Sequence, residues 1–164
     1  MHIIIVDVNV LVDEARARHA SPEVDEARKL LDLMKENNIQ VCITPTMVKD
    51  LRYLIAVRTK QFLREKKGQL EPADIYFANK LALDKIDWYL DNAAIISEGL
   101  VDCHMARSLL KVHNDFEDNL ITAVAIRTDA MGIVTRDEKF AKNCQVKCFT
   151  PTQAIQSIEA GLWH

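Results

Sequence analysis

Ile3-Ile4-Ile5-Val6-Asp7-Val8-Asn9 is the stretch on which the reading of this chain turns. Four β-branched residues in a row suit a strand buried on both faces, as in a parallel sheet covered by helices on either side. The acid that follows falls at the carboxyl edge of that sheet, where ligands of open α/β folds collect. A lone carboxylate there carries little weight. What matters is how many others the chain brings to it.

Outward from this stretch, strand and helix signals alternate. Ser21-Pro22-Glu23 opens a helix by capping residue and first-turn proline, with Leu30, Leu31 and Met34 on its apolar face and Asn37-Asn38 at its end. Ile39 to Ile43 reads as a second strand. Thr44-Pro45-Thr46 starts a helical stretch that ends at Lys67-Gly68, and Pro72 opens the next, with Leu81, Leu83, Ile86 and Leu90 in register. Ala93 to Ile96 is expected to be a third strand and 101–112 a helix. Another helix starts at Asn114-Asp115-Phe116-Glu117-Asp118, with Asn114 as the expected cap. Ile133-Val134-Thr135 and Val146 to Phe149 are the last strands, and Thr150-Pro151-Thr152 caps a closing helix. This alternation predicts a three-layer α/β/α sandwich with a mostly parallel central sheet, one domain over 1–164, and a helical excursion around 58–91.

The formal net charge of -3 excludes a generally basic, nucleic-acid-coating protein, yet it allows a local basic face beside a cluster of acids. No apolar run approaches the roughly 20 residues a bilayer span needs. With a strand and no signal-type segment at the start, cytoplasmic residence away from membranes is expected. Cys42, Cys103, Cys144 and Cys148 contain no CxxC pair and are expected to be reduced and mostly buried.

Four acids stand where strand ends and helix starts converge: Asp7, Asp50 in the helix after the second strand, Asp118 in the first turn of its helix, and Asp137 after the strand Ile133-Val134-Thr135. Carboxylates crowded together repel, and a hard divalent cation relieves that repulsion. An oxygen-only set favours Mg²⁺ or Mn²⁺ over zinc, and such an ion activates water and neutralises charge on a phosphoryl group. Asn9 is placed to orient the carboxylates, and Thr135 to orient a ligand or water. Each acid also has a plainer reading. Asp118 suits the positive end of a helix dipole, Asp50 a solvated helix surface, and Asp137 a turn.

Ile5-Val6-Asp7-Val8-Asn9-Val10-Leu11, Asp115-Phe116-Glu117-Asp118 and Ile133-Val134-Thr135-Arg136-Asp137-Glu138-Lys139-Phe140 together resemble the PIN-domain family in order and spacing. The resemblance spans essentially the whole chain and implies a metal-dependent ribonuclease, often the toxin of a toxin–antitoxin pair. By matching motifs, Asp7, Asp118 and Asp137 are similar to three of the family's metal-site acids. Asp50 is similar to the fourth, in the helix after the second strand, where many members carry Glu. The implied partners are an RNA substrate, an antitoxin and, as in many members, a second copy of the chain.

Arg52, Arg58, Lys60 and Arg64, followed by Lys66 and Lys67, make the segment after Asp50 the most basic in the chain. They are candidates for phosphate contacts, with a solvated helix face as the alternative. Tyr53 and Phe62 are read as core residues, so base stacking is not expected. Two functions stay open: a nuclease, and a PIN-like module that binds RNA or protein with little catalysis. An aspartyl-phosphate phosphatase of the haloacid-dehalogenase type is set aside, because it needs a second Asp where Asn9 stands.

Overall fold

The computed structural model describes residues 3–16 and 21–163. Ile3–Val6 forms β1, and α1 (Val8–Glu14) begins one residue after Asp7. Val10, Leu11 and Val12, expected only as a short apolar stretch, are the buried side of that helix. Then come α2 (Pro22–Glu36), β2 (Gln40–Ile43), α3 (Pro45–Lys67), α4 (Pro72–Asn92) and β3 (Ala94–Ile95). The chain continues through α5 (Leu100–Leu109), α6 (Phe116–Arg127), β4 (Gly132–Val134), α7 (Glu138–Asn143), β5 (Cys148–Phe149) and α8 (Pro151–Glu159).

The starts and stops follow from local chemistry. Pro22, Pro45, Pro72 and Pro151 each occupy a first helical turn, where the missing N–H costs nothing. Thr44 and Thr150 cap α3 and α8 through side-chain oxygens. At the far end of α3, Gly68 takes a φ of 83°, a left-handed conformation that only glycine adopts at little cost. Two expectations need correction. The cap of α6 is Asp115, which accepts hydrogen bonds from the Glu117 and Asp118 amides, so Asn114 lies outside the helix. The turn expected at Asp137 is the start of α7, a short helix capped by Asp137 through the Phe140 amide.

All five strands are parallel, in the order β3-β2-β1-β4-β5. Ile4, Ile5 and Val6 alternate between the two faces of β1 and all are fully buried, so helices cover both faces of the sheet. The chain steps from β1 through β2 to β3 on one side, then returns to place β4 on the other side of β1. The carboxyl ends of β1 and β4 therefore flank the point where the winding reverses, the crevice in which open α/β sheets bind ligands. Gly132 lets β4 and β5 approach: a Cβ there would stand 2.5 Å from the Lys147 carbonyl oxygen and 2.7 Å from the Phe149 ring.

The helical excursion is tied to the body of the fold. α3 and α4 pack along each other, and buried Tyr89 donates its hydroxyl to Glu14 Oε2 (2.6 Å) and lies 2.8 Å from the Leu11 carbonyl oxygen. Lys85 adds an ion pair to Glu14 at 2.9 Å. Of the four cysteines, all free, only Cys42 is buried; Cys144 and Cys148 are half-buried and Cys103 is exposed, because it lies on the outer side of α5. No described helix is long and apolar enough to cross a membrane.

Candidate active site

A cleft of about 600 Å³ opens at the carboxyl edge of the sheet, and Asp7, Asp50, Asp118 and Asp137 all line it. Each comes from a different element: the end of β1, the second turn of α3, the first turn of α6 and the cap of α7. In a parallel sheet these elements all present the same edge, which is how residues far apart in sequence meet.

Asp7 is the most firmly held. Its Oδ2 accepts hydrogen bonds from Asn9 Nδ2 and Thr135 Oγ1, both at 2.6 Å. Asn9 Nδ2 also lies 3.1 Å from Thr135 Oγ1, and Asn9 Oδ1 accepts from the Arg136 amide at 3.1 Å. Thr135 in turn accepts from the Asp137 amide at 3.0 Å. The D-x-N after β1 and the T-x-D after β4 thus form one network across the ends of two neighbouring strands. Thr135 bonds Asp7, the role anticipated for Asn9.

Burial pushes the Asp7 carboxyl above the ordinary carboxylate range, hydrogen bonds from Thr135 and Val8 partly offset this, and the charges of Asp118 and Asp137 push it further up. Asp118 is also raised, first by burial, with Asp115 and Asp137 adding repulsion. Its Oδ2 lies 2.7 Å from Nε2 of His113, which opposes the rise. His113 is itself buried, packed against the Phe140 ring and fixed by Asn119, whose side chain donates to the His113 carbonyl at 2.7 Å. Asp137 is exposed, with Oδ1 turned to the α7 amide of Phe140 at 2.9 Å.

Asp50 belongs to the opposite wall. Thr46, Asp50, the adjacent pair Tyr53 and Leu54, and Arg58 fall about one turn apart along α3 and line the cleft together. The Asp50 carboxylate lies 3.4 Å from the ammonium of its neighbour Lys49. Of the four basic residues singled out for phosphate contact, only Arg58 lines the cleft; Arg52, Lys60 and Arg64 do not, because they point from other sides of α3.

Sequence reasoning missed several cleft residues. Glu98 stands three residues past the end of β3, at the same edge of the sheet as Asp7, and an acid shortly after an expected strand was a legible signal. Its Oε2 accepts from Thr46 Oγ1 at 2.6 Å, while Oε1 is buried without a hydrogen-bond partner among the described residues. Arg127 holds the segment beside it, bonding the Ser97 carbonyl and the Asp102 carboxylate at 2.7 Å each. Tyr53, expected in the core, is 67% exposed and faces the cleft. Arg16 and Arg136 also line it, but Arg136 is saturated by Asp13, Glu26 and the Glu23 carbonyl and is a structural clamp.

The donor chemistry suits a hard cation. All four expected donors are carboxylates, and two of them, Asp7 and Asp118, are raised by burial and by like charge that a cation would relieve. As they stand, Asp118 and Asp137 are turned towards His113 and the start of α7. Among the described residues, no three His, Cys, Asp or Glu side chains form a ready-made coordination group.

A parallel α/β sheet with an acid-lined cleft at the reversal of its winding is the setting of many phosphate-processing proteins. The model of the PIN domain matches residues 3–139, and the chain belongs to the PIN-domain family. Its fold is similar to that of VapBC2 from Rickettsia felis, solved bound to a DNA fragment from their promoter. That likeness has a TM-score of 0.61 and 19% identity over 90% of this chain and 98% of that one. It is similar also to PAE2754 from Pyrobaculum aerophilum, with a TM-score of 0.62 and 12% identity over 97% and 90% of the two chains. At such identities the likeness is one of fold. No curated protein matches the sequence.

Proposed function

We propose that this chain, acting as a single PIN domain over 1–164, is an endoribonuclease that cleaves single-stranded RNA with Mg²⁺ or Mn²⁺, and that it is the toxin of a toxin–antitoxin pair. The observation that carries the reading is the convergence of Asp7, Asp118 and Asp137, whose charges bear on one another across a single cleft. Family membership supports the nuclease chemistry, and the fold shared with VapBC2 supports an antitoxin partner.

Asp7, Asp118 and Asp137 would hold the ion, with Asp50 and Glu98 across the cleft. Bound there, the ion would supply a nucleophilic water at neutral pH and would offset charge building on the phosphoryl group. The protein does the rest by position. Asn9 and Thr135 fix the Asp7 carboxylate so that it need not reorganise. His113 does the same for Asp118. With Oδ2 of Asp118 held by His113 and Oδ1 of Asp137 capping α7, the other oxygen of each carboxylate is the one left for the ion. Arg58 and Arg16, at the rim, are placed to meet phosphates flanking the cut.

The test is cleavage of short RNAs by the wild type and by Asp7→Asn, with Mn²⁺ and with EDTA. Metal-dependent cleavage by the wild type alone is expected; equal, metal-independent cleavage by both proteins overturns the mechanism. One observation favours a second reading, a PIN-like binding module with little catalysis: Asp50 replaces the longer Glu and sits against Lys49. A melting temperature unmoved by millimolar Mn²⁺, together with RNA binding but no cleavage, would select that module, since an ion bound only by the folded state must stabilise it.

A further inference from the structure

The cleft continues past the acids. Arg16 and Arg58, at its rim, also line a second cavity of about 480 Å³ between α3, α4 and the end of α1. Phe62 from α3 and Phe77 from α4 line this cavity, with Arg28 and Lys85 beside them. Phe62 is 41% exposed and Phe77 53%, so both rings lie partly open to solvent. Arg28 Nη1 is buried with no hydrogen-bond partner among the described residues, a costly state that an acceptor would relieve.

We propose that the second cavity is a subsite for bases flanking the scissile phosphate of a single RNA strand, which runs from the acids over Tyr53 and between Arg16 and Arg58 onto Phe62 and Phe77. The proposal rests on the ribonuclease reading and adds to it where the substrate lies. Exposed flat rings interleaved with cations are what single strands use, since every base has a face to stack and every link a phosphate to neutralise. The charge balance favours a polyanion over an apolar peptide. Arg16, Arg28, Arg58 and Lys85 line the cavity against one carboxylate, Glu65. Asp13 and Glu14 pair with Arg16 and Lys85, but Arg28 is held by the Glu14 and Arg16 carbonyls, which leave its charge uncancelled. A duplex does not fit the proposal, because a base must leave its stack to lie on a phenylalanine.

The test measures binding of labelled RNA single strands of about four and about twelve nucleotides to the Asp7→Asn protein in EDTA, which leaves the strand intact. The longer strand is expected to bind about tenfold or more tightly, the gain from one stacked base. Replacing Phe62 and Phe77 by Ala should bring the ratio of the two affinities close to one. Tyr53→Ala should weaken both strands, and Tyr53→Phe should restore them. If the double variant melts early, Phe77→Ala alone, at the more exposed of the two rings, gives the reading, with a reduced length gain expected and an unchanged one overturning the subsite.

A length gain untouched by the phenylalanine pair overturns the subsite, and is the outcome expected if an apolar peptide occupies the cavity. Equal binding of a duplex overturns it as well. Cleavage by the wild type with Mn²⁺, measured alongside, separates the two readings. Cleavage without the length effect removes only the subsite, whereas neither cleavage nor binding removes both.

Discussion

The two walls of the cleft are built differently. On the strand side, Asp7, Asn9, Thr135 and Asp137 are linked by hydrogen bonds that cross from β1 to β4, with His113 holding Asp118 nearby. On the helix side, Thr46, Asp50, Tyr53 and Arg58 share one stripe of α3. Glu98 is tied to Thr46, Asp50 meets Lys49, and Tyr53 is open to solvent. The strand wall has charges fixed before any ligand arrives, as stabilisation of a transition state requires. The helix wall has side chains free to meet a substrate. On the proposed nuclease reading, chemistry would fall to the ends of strands and recognition to the face of a helix.

The strand wall should break most sharply at its centre. Asp7→Asn is expected to lower RNA cleavage about a thousandfold, the order of several kcal/mol of lost charge stabilisation, in single-turnover assays with Mn²⁺. A loss no greater than that of an α3 substitution would erase the contrast between the walls. Next comes His113→Ala, which frees the Asp118 carboxylate from its 2.7 Å partner. Affinity for Mn²⁺, read by titration calorimetry, should fall about 10–100-fold, as when a carboxylate loses the group that orients it. Unchanged affinity would show that His113 serves only the packing against Phe140.

Asp50→Asn tests the helix wall. Cleavage should fall about tenfold, the low end for outer-shell partners of a metal site. A loss matching that of Asp7→Asn would make Asp50 an equal member of the acid set.

The smallest effect expected is on stability, and its sign is fixed by Asp7. A carboxyl whose folded pKa lies above its unfolded value contributes stability that is fully present below the unfolded value, near 3.8, and lost as pH rises through the folded one. Asn in place of Asp7 can accept the same bonds from Asn9 and Thr135 without titrating. In EDTA, Asp7→Asn should therefore melt above the wild type at neutral pH, and the gap should narrow as pH falls through the raised folded value and be closed below about 3.8. A variant that melts lower at neutral pH would mean that the Asp7 hydrogen bonds outweigh its burial.

Much of the strand wall was legible in the sequence, because β-branched runs announce buried strands and the acids follow those runs directly. Asp7 after Ile3–Val6 and Asp137 after Ile133-Val134-Thr135 are placed by chain direction alone. The link between them was only half legible. Asn9 was read as orienting carboxylates, but the bond from Thr135 to Asp7 was not read, because strand order decides which ends are neighbours and strand order leaves no local trace. The helix wall was harder. Tyr53 looks like a core residue when α3 is read alone, since an aromatic at helical spacing usually packs inward. Only the placement of α3 against α1 and the sheet shows which stripe faces the cleft. The same placement separates Arg58 from Arg52, Lys60 and Arg64, which composition had grouped together.

The most direct measurement is anomalous diffraction from a crystal soaked in Mn²⁺. A peak within bonding reach of Asp7, Asp118 and Asp137 is expected, with His113 still against Asp118. A soaked crystal with no peak among these three carboxylates, or with its only cleft peak on Asp50 and Glu98, would contradict the division of the cleft into a catalytic strand wall and a recognising helix wall.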